Sequence, residues 1–243
     1  SFFPMIVLSI DSSSKVATVA ILDDNTLLGE YIINNKREHS VLIMDMISKL
    51  LKDCNLDISD IDGYVVSKGP GSFTGLRIGM ATVKGLSRGS NKPYISISSL
   101  DALAYSITNF DGIICPIIEA LRDNVYTALY RNNSSDNNYE LEKISDYTPI
   151  EIYDLVEMLK EKNEKVIFTG DITKEHKQYL KDNLNNIFFA SNHISTIKAS
   201  SLGEYGLNLL KKGMRDDSSS APLYLKKPQA VRELEKRIKL NEL

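Results

Sequence analysis

Apolar and polar stretches alternate in a regular order along residues 1–108. Short apolar runs between polar turns are typical of β-strands, and apolar residues spaced three and four apart are typical of helices. The predicted elements are, in order, strands 5–10, 16–22 and 27–33, helix 40–52, strand 63–67, helix 73–88, strand 94–97 and helix 99–107. This part of the chain is therefore expected to read β-β-β-α-β-α-β-α.

The same order returns in residues 109–214. Pro149 is expected in the first turn of a helix, where its missing N–H group costs little. A repeat of this length indicates duplication of a whole domain. By analogy, we predict an α/β fold of two tandem ribonuclease-H-like domains, 1–108 and 109–214, in the actin-like ATPase (ASKHA) arrangement. The elements predicted for the second domain are strands 112–119, 125–131 and 139–145, helix 149–162, strand 165–169, helix 173–181, strand 187–189 and helix 197–212.

Two segments fall outside this repeat. Residues 1–4 are expected to be a vector-derived leader before a native start at Met5. Residues 215–243 are expected to form a linker, with a flexible joint at 215–220, and an amphipathic tail. In that tail Val231, Leu234 and Ile238 share one helical stripe.

Composition is ordinary for a soluble globular protein, with 42% hydrophobic and 25% charged residues among 243. No apolar run approaches the roughly 18–20 residues of a membrane helix, and no signal peptide is visible. Cys54 and Cys115 lie far apart in apolar context, so we expect buried thiols in a reducing cytoplasm. The net charge of -3 argues against a chain that grips nucleic acid alone. The locally basic stretch 224–243 is interpreted as a solvated helix face.

The polar loop after the first strand is a candidate phosphate site. Asp11 could hold a metal ion through water, and Ser12 and Ser13 could bind phosphate with backbone N–H groups and hydroxyls. The alternative is an ordinary hairpin whose polar side chains bond their own backbone.

The most informative segment is the glycine-rich stretch 69–79, which follows a strand and opens a helix. Ser72 or Thr74 can cap that helix, and its free N–H groups could bind an anion together with Gly69 and Gly71. The segment is neither a P-loop nor a nucleophile elbow, because the Gly-Lys-Ser/Thr and Gly-x-Ser-x-Gly frames are absent. It indicates anion binding or a tight turn, and not covalent catalysis.

Two helices carry features of a protein–protein interface. Helix 73–88 contains several glycines, each costing about 1 kcal/mol relative to alanine, so a close neighbour is expected. That neighbour is either the chain's own sheet or another protein. Helix 40–52 is apolar beyond one stripe, which favours a partner surface. The expected interface residues are His39, Leu42, Ile43, Met46, Ile47, Leu50, Phe73, Thr74, Gly75, Arg77, Ile78, Gly79 and Thr82.

The second half lacks the features of a complete nucleotide or metal site. Its hairpin 119–124 contains no glycine, and only residues 169–171 could supply a later turn, so ATP is expected to bind weakly or not at all. His39, His176 and His193 have no partner at i+4 and no clustered carboxylate in the sequence. No catalytic residues and no metal site are therefore expected.

Residues 10–13, His39-Ser40 and Gly69-Pro70-Gly71-Ser72-Phe73-Thr74-Gly75-Leu76-Arg77-Ile78-Gly79 occur in the order found in a known family. The chain resembles the bacterial tRNA threonylcarbamoyladenosine biosynthesis proteins TsaB, also called YeaZ. The stretches 98–104, 125–130 and 222–225 agree with this resemblance, which covers nearly the whole chain.

The resemblance implies a noncatalytic subunit that activates or scaffolds a TsaD-type catalytic paralogue, the transferase that modifies adenosine beside the tRNA anticodon. It implies pairing through the two helices above, as a homodimer or with that paralogue, and a TsaE-type ATPase as third component. No cofactor is expected to be tightly bound, although ATP or ADP with Mg could bind at the partner interface. Contact with tRNA is expected mainly through the partner, and no membrane contact is expected.

Two details of the sequence bear on the resemblance. The paralogue has a His-x-x-x-His metal pair where this chain has His39 and Ile43. The family often reads Asp-Ala-Arg-Arg where this chain has Glu119-Ala120-Leu121-Arg122, so contacts that rest on the lost basic residue are not expected here.

Two other function classes stay open. A weak ATPase or kinase-like enzyme would use Asp11 for the metal and residues 12–14 for the phosphates. A peptidase is suggested only by the historical grouping of the family, and no peptidase site is visible in the sequence.

Overall fold

The computed structural model describes residues 4–34, 39–133 and 140–222. The first half follows the predicted order, and the helix that was predicted to begin near His39 begins there. A short 3-10 turn, Ile58–Asp60, is additional. The elements are β1 (Val7–Asp11), β2 (Val16–Leu22), β3 (Leu27–Asn34), α1 (His39–Asp53), β4 (Gly63–Gly69), α2 (Phe73–Ser90), β5 (Tyr94–Ser98) and α3 (Ser99–Tyr105).

The second half contains β6 (Ile113–Glu119), β7 (Asn124–Thr127), β8 (Tyr130–Asn132), β9 (Leu141–Lys143), β10 (Thr148–Glu151), α4 (Ile152–Lys162), β11 (Val166–Thr169), α5 (Lys174–Asn183), β12 (Ile187–Phe189) and α6 (Ala199–Lys211). Its main sheet has the order β10-β7-β6-β11-β12, which repeats the order β3-β2-β1-β4-β5 of the first sheet. In both sheets the first strand pairs antiparallel with the second and parallel with the fourth main strand. The α/β fold of two ribonuclease-H-like units in an actin-like arrangement is therefore confirmed.

Three local predictions for the second half are wrong. The strand expected at 125–131 is divided into β7 and β8, with the buried residues Ala128 and Leu129 between them. Of the stretch expected at 139–145, the described residues 140–145 contain the short strand β9, which pairs with β8 beside the main path. The third main strand is instead β10, and it contains Pro149, which was expected in a helix. Pro149 is tolerated there because β10 is an edge strand.

The last helix of each half packs on the sheet of the other half. Leu202 and Leu207 of α6 pack with Val65 and Ile97 of the first sheet. Leu100 of α3 belongs to a cluster that contains strand residues of the second half. The two cores therefore share helices across the predicted boundary at residues 108 and 109.

The segment 215–220, expected to be a flexible joint, is attached to the first half. The Asp216 N–H group donates to the Tyr94 carbonyl oxygen at 2.8 Å, and the Tyr94 hydroxyl donates to the Asp217 carbonyl oxygen. The Lys84 ammonium group donates to the carbonyl oxygens of Ser218 and Ser220. The joint is therefore held in one place by hydrogen bonds, and the predicted tail beyond residue 222 lies outside the described residues.

Both cysteines are free thiols, as expected. Cys115 is fully buried, and burial raises the pKa of its thiol to about 12. Cys54 is only half-buried, so the expectation of two buried thiols is correct for Cys115 alone. In the described part of the chain, no helix combines the length and the apolar character needed to cross a membrane.

Candidate functional site

A cleft of about 780 Å³ opens between the two halves. The first half contributes the loop after β1 and the start of the glycine-rich segment. The second half contributes the end of β6 and the turn after β11. The polar residues that line it include Ser13, Ser14, Lys15, Ser72, Glu119 and Asp171.

The loop after β1 bonds mainly to itself and to α2. The carboxylate of Asp11, which is 1% exposed, accepts hydrogen bonds from the Ser13 N–H group at 2.8 Å and the Ser13 hydroxyl at 2.6 Å. The Ser12 hydroxyl donates to the carbonyl oxygen of Gly75 at 2.8 Å. This is the hairpin interpretation of the loop, because its polar side chains are used inside the fold.

The glycine-rich segment packs directly on this loop. The Ser72 N–H group donates to the Ser13 carbonyl oxygen at 2.6 Å. A Cβ atom on Gly71 would overlap that oxygen, and one on Gly75 would overlap the Ser12 carbonyl oxygen. A Cβ atom on Gly79 would lie 2.8 Å from the Ser12 hydroxyl oxygen. These glycines therefore permit close packing within the chain.

This packing divides the six predicted phosphate-site residues into two groups. Ser13, Gly71 and Ser72 line the cleft. Asp11, Ser12 and Gly69 are buried outside this lining, and their assignment to a phosphate site stays a prediction. Ser72 caps α2 as predicted, accepting a hydrogen bond from the Gly75 N–H group at 3.2 Å.

The second half brings together three residues that the sequence did not connect. His176, only 7% exposed, places Nδ1 2.8 Å from a carboxylate oxygen of Glu119 and Nε2 3.7 Å from Asp123. Glu119 also accepts from the Thr173 N–H group at 2.9 Å, which ties the end of β6 to the start of α5. The expectation that His176 lacks carboxylate neighbours is therefore wrong.

An exposed ion pair spans the cleft, between Lys15 of the first half and Asp171 of the second at 2.7 Å. Such pairs contribute about 0–1 kcal/mol, so this one does not hold the halves together. Within the described residues, no group of three or more His, Cys, Asp or Glu side chains is placed to hold a metal ion.

A buried acid links the halves more firmly. Asp101 of α3 is 6% exposed, and its carboxylate accepts hydrogen bonds from the hydroxyls of Tyr130 and Tyr147 in the second half. Burial raises the pKa of Asp101, an effect that the two tyrosine hydrogen bonds partly oppose. Burial and the nearby carboxylate raise the pKa of both tyrosines. No local sequence signal marks this cluster, since its members are distant in the chain.

The apolar residues of α1 mainly serve the chain's own core. Four residues expected at a partner interface are almost fully buried, and their assignment to a partner is corrected. Leu42 is half-buried against the same core, and only the backbone of His39 is described. Among the described side chains of α1, the large apolar side chain of Met44 is 45% exposed. The four buried residues are Ile43, Met46, Ile47 and Leu50.

Helix α2 has one buried face and one open face. Gly75 and Gly79 belong to the buried face, so they cannot contact a partner as expected. Ile78 and Thr82 are half-buried, and the Thr82 hydroxyl donates to the Ile78 carbonyl oxygen. The open face, here called the α2 face, consists of Phe73, Thr74, Arg77, Ala81 and Gly85.

Comparison with known proteins shows the family to which the chain is related. Residues 26–234 match the family model described as TsaD, tRNA N6-adenosine threonylcarbamoyltransferase. The chain is 41% identical over 178 residues to the tRNA threonylcarbamoyladenosine biosynthesis protein TsaB of Bacillus subtilis, covering 73% of this chain and 76% of that protein. It is 31% identical over 133 residues to TsaB of Escherichia coli, covering 54% of this chain and 57% of that protein.

Solved structures agree in fold. A Pseudomonas aeruginosa protein described as similar to the peptidase YeaZ superposes with a TM-score of 0.76 at 21% identity, covering 91% of this chain and 100% of that one. YeaZ from the same organism gives a TM-score of 0.72 at 20% identity with the same coverage. The chain belongs to the family of the tRNA threonylcarbamoyladenosine biosynthesis proteins TsaB, and matches the broader TsaD family model along most of its length.

Proposed function

We propose that the chain is a noncatalytic subunit that activates or scaffolds a TsaD-type catalytic paralogue in the formation of threonylcarbamoyladenosine in tRNA, in the cytoplasm. Membership in the TsaB family supports a place in this biosynthesis. The role of a docking subunit is supported by the surface of α2.

The observation that carries the proposal is the open α2 face. A Cβ atom added to Gly85 meets no atom within 4 Å, and the same is true of Gly89. Nothing in the described part of the chain therefore compensates the roughly 1 kcal/mol that each glycine costs in a helix. Close approach of a helix from another protein would use the absence of side chains here.

One end of the α2 face suits a partner surface that is both apolar and charged. The Arg77 guanidinium group stacks on the Phe73 ring, 4.3 Å from its centroid, which presents an apolar plate with a charged edge. Met44 of the neighbouring α1 adds an adaptable apolar side chain. Arginine, methionine and aromatic residues are the types enriched at protein interfaces.

The closed packing of the first-half loops supports a role without turnover by this chain. The Ser12 hydroxyl donates to Gly75 and the Ser13 hydroxyl to Asp11, so both hydroxyls are used within the fold. Any nucleotide, such as ATP or ADP with Mg, is therefore proposed to bind at the partner interface. A TsaE-type ATPase is proposed as third component, and tRNA is proposed to contact mainly the partner.

A reconstitution assay tests the proposal. The catalytic paralogue of the same organism is assayed for tRNA modification with and without this chain, and with Gly85→Arg. We expect modification to require the wild-type chain and to fall at least about tenfold with Gly85→Arg, since a long side chain that keeps the partner helix from close approach costs more than about 1.4 kcal/mol of binding. Full modification with Gly85→Arg would reject docking through this face.

The same α2 face would also be used in a homodimer. A self-complementary interface places the same surface on both copies. We therefore propose that homodimer and heterodimer compete. Adding the paralogue should dissociate the homodimer. A complex of two copies of this chain with the paralogue, in which both interfaces form at once, would contradict a shared face.

A second candidate function, a weak ATPase or kinase-like enzyme, is favoured by the cleft. Its volume of about 780 Å³ lies in the range of small-molecule sites, and Lys15 and Ser14 face it. Saturable ATP turnover by the isolated chain, lost in Lys15→Ala, would support this function. Turnover that is equal in both proteins would indicate a contaminating enzyme instead.

A further inference from the structure

A second pocket of about 340 Å³ lies on the first half, away from the cleft. It is bounded by the last turns of α2, the connection to β5 and the segment after α6. Four of its lining residues are cationic, in a chain whose net charge is -3. They are Lys84, Arg88, Lys92 and Arg215.

The lining holds one acid, Asp216, against its four cations, so positive charge is in excess there. Asp216 also accepts a hydrogen bond from the Ser96 hydroxyl. Lys92 approaches Asp62 only at 3.9 Å, the outer limit of an ion pair. For the residues that the structure describes, the ion pairs include neither Arg88 nor Arg215.

Hydrogen bonds hold in place the segment that carries Arg215. Lys84 donates to the carbonyl oxygens of Ser218 and Ser220, which fixes the segment that carries Arg215. Asp216, the residue after Arg215, donates its N–H group to the Tyr94 carbonyl oxygen at 2.8 Å. Arg215 is thereby held beside three other cations, although like charges repel each other.

The negative end of the α2 dipole explains only part of this cluster. Cations near the C-terminal end of a helix are stabilised by about 0.3–1 kcal/mol, which suits Arg88. Arg215 belongs to a different segment, and its place in the pocket has no such local cause. A bound anion is the simplest compensation for four cations around one pocket.

We propose that this pocket holds a backbone phosphate of the tRNA substrate. The proposal rests on the proposed function and adds a direct RNA contact to it. Arginine and lysine together suit phosphate, because guanidinium groups bind two oxygens and ammonium groups supply point charge.

Such a contact positions RNA without reading its sequence. Phosphate contacts fix register and orientation, and they add a salt-dependent term to affinity. The RNA contact can be tested independently of docking, because Lys92 and Arg215 lie outside α2. Neutralising these two residues should therefore weaken RNA binding and leave binding of the paralogue unchanged.

The test titrates tRNA against the full chain, alone and with the catalytic paralogue, across a range of salt concentrations. The variant is Lys92→Gln with Arg215→Gln, and the matched control is Lys174→Gln with Lys181→Gln on α5, which removes the same charge elsewhere. We expect the pocket variant to lower affinity about tenfold and the salt slope by about 1, the value for one phosphate contact, and the control to change neither. Sedimentation with the paralogue, run on the same variants, reports docking separately.

Three results would overturn the proposal. The first is no tRNA binding that depends on this chain, and the second is an equal loss in the control variant. The third is saturable binding of inorganic phosphate that the pocket variant loses while its tRNA affinity stays that of the wild type, because the pocket would then serve a small free anion. A failure of docking with intact RNA binding would instead count against the proposed function alone.

Discussion

The glycines of α2 have two different physical reasons to be glycine. Gly75 lies against the Ser12 backbone, where a Cβ atom would overlap a carbonyl oxygen that cannot move aside cheaply. Gly85 faces open space on the α2 face. The sequence predicted close approach at this helix but could not say which glycines contact the chain itself, because that depends on where the loop after β1 folds.

Alanine substitutions at these two positions should act in opposite directions. Gly75→Ala should lower the free energy of unfolding by about 1–3 kcal/mol through overpacking against Ser12. Gly85→Ala should raise it by up to about 1 kcal/mol, since alanine is the better helix former at an open position. Urea denaturation of both variants beside the wild type gives the comparison. Equal effects at the two sites would contradict the packing described here.

Asp101 should make stability depend on pH. Its pKa is raised in the folded state by burial, so the folded chain holds this proton to higher pH than the unfolded chain. Stability from this group is therefore lost as pH rises from the unfolded value of about 3.9 through the raised folded pKa. The side chain of the Asp101→Asn variant cannot titrate. The free energy of unfolding of this variant should therefore rise relative to that of the wild type across this pH window. A constant difference between pH 4 and 8, measured by denaturation, would show that the carboxylate is not perturbed.

At the scale of elements, the order of strands and helices was predictable because periodicity is a local property. Predictions failed where tertiary contacts, and not local periodicity, determine the role of a segment. Pro149 looked like a helix start, yet it lies in an edge strand where its missing N–H group costs no ladder bond. The apolar excess of α1 looked like an interface, but Ile43 and Ile47 fill the core beneath the first sheet.

The crossing of α6 onto the first sheet is open to test. Leu202→Ala should lower the free energy of unfolding by about 2–5 kcal/mol, because a buried leucine is truncated. Native-state hydrogen exchange should then show reduced protection in β1 and β2 of the first half, which α6 covers. Loss of protection confined to β6 and β11 would mean that α6 stabilises its own half instead.

At the scale of the whole molecule, duplication of one plan was visible in the sequence, and the repeated sheet order confirms the fold. Candidate site residues were harder to predict. The sequence predicted two separate candidate anion-binding segments, and Ser13, Gly71 and Ser72 from these segments line one cleft. Spacing gave no sign of Glu119 meeting His176, since these residues lie 57 positions apart and meet only through packing of α5 on β6.

The central claim is that this chain works by docking through the α2 face, and sedimentation velocity with the catalytic paralogue of the same organism tests it most directly. Three proteins are compared, namely the wild type, Gly85→Arg and the control Gln178→Arg, which adds the same side chain to an exposed position of α5. We predict a heterodimer for the wild type and the control, and free subunits for Gly85→Arg. No wild-type complex, or a Gly85→Arg complex as stable as the wild type, would contradict docking through this face.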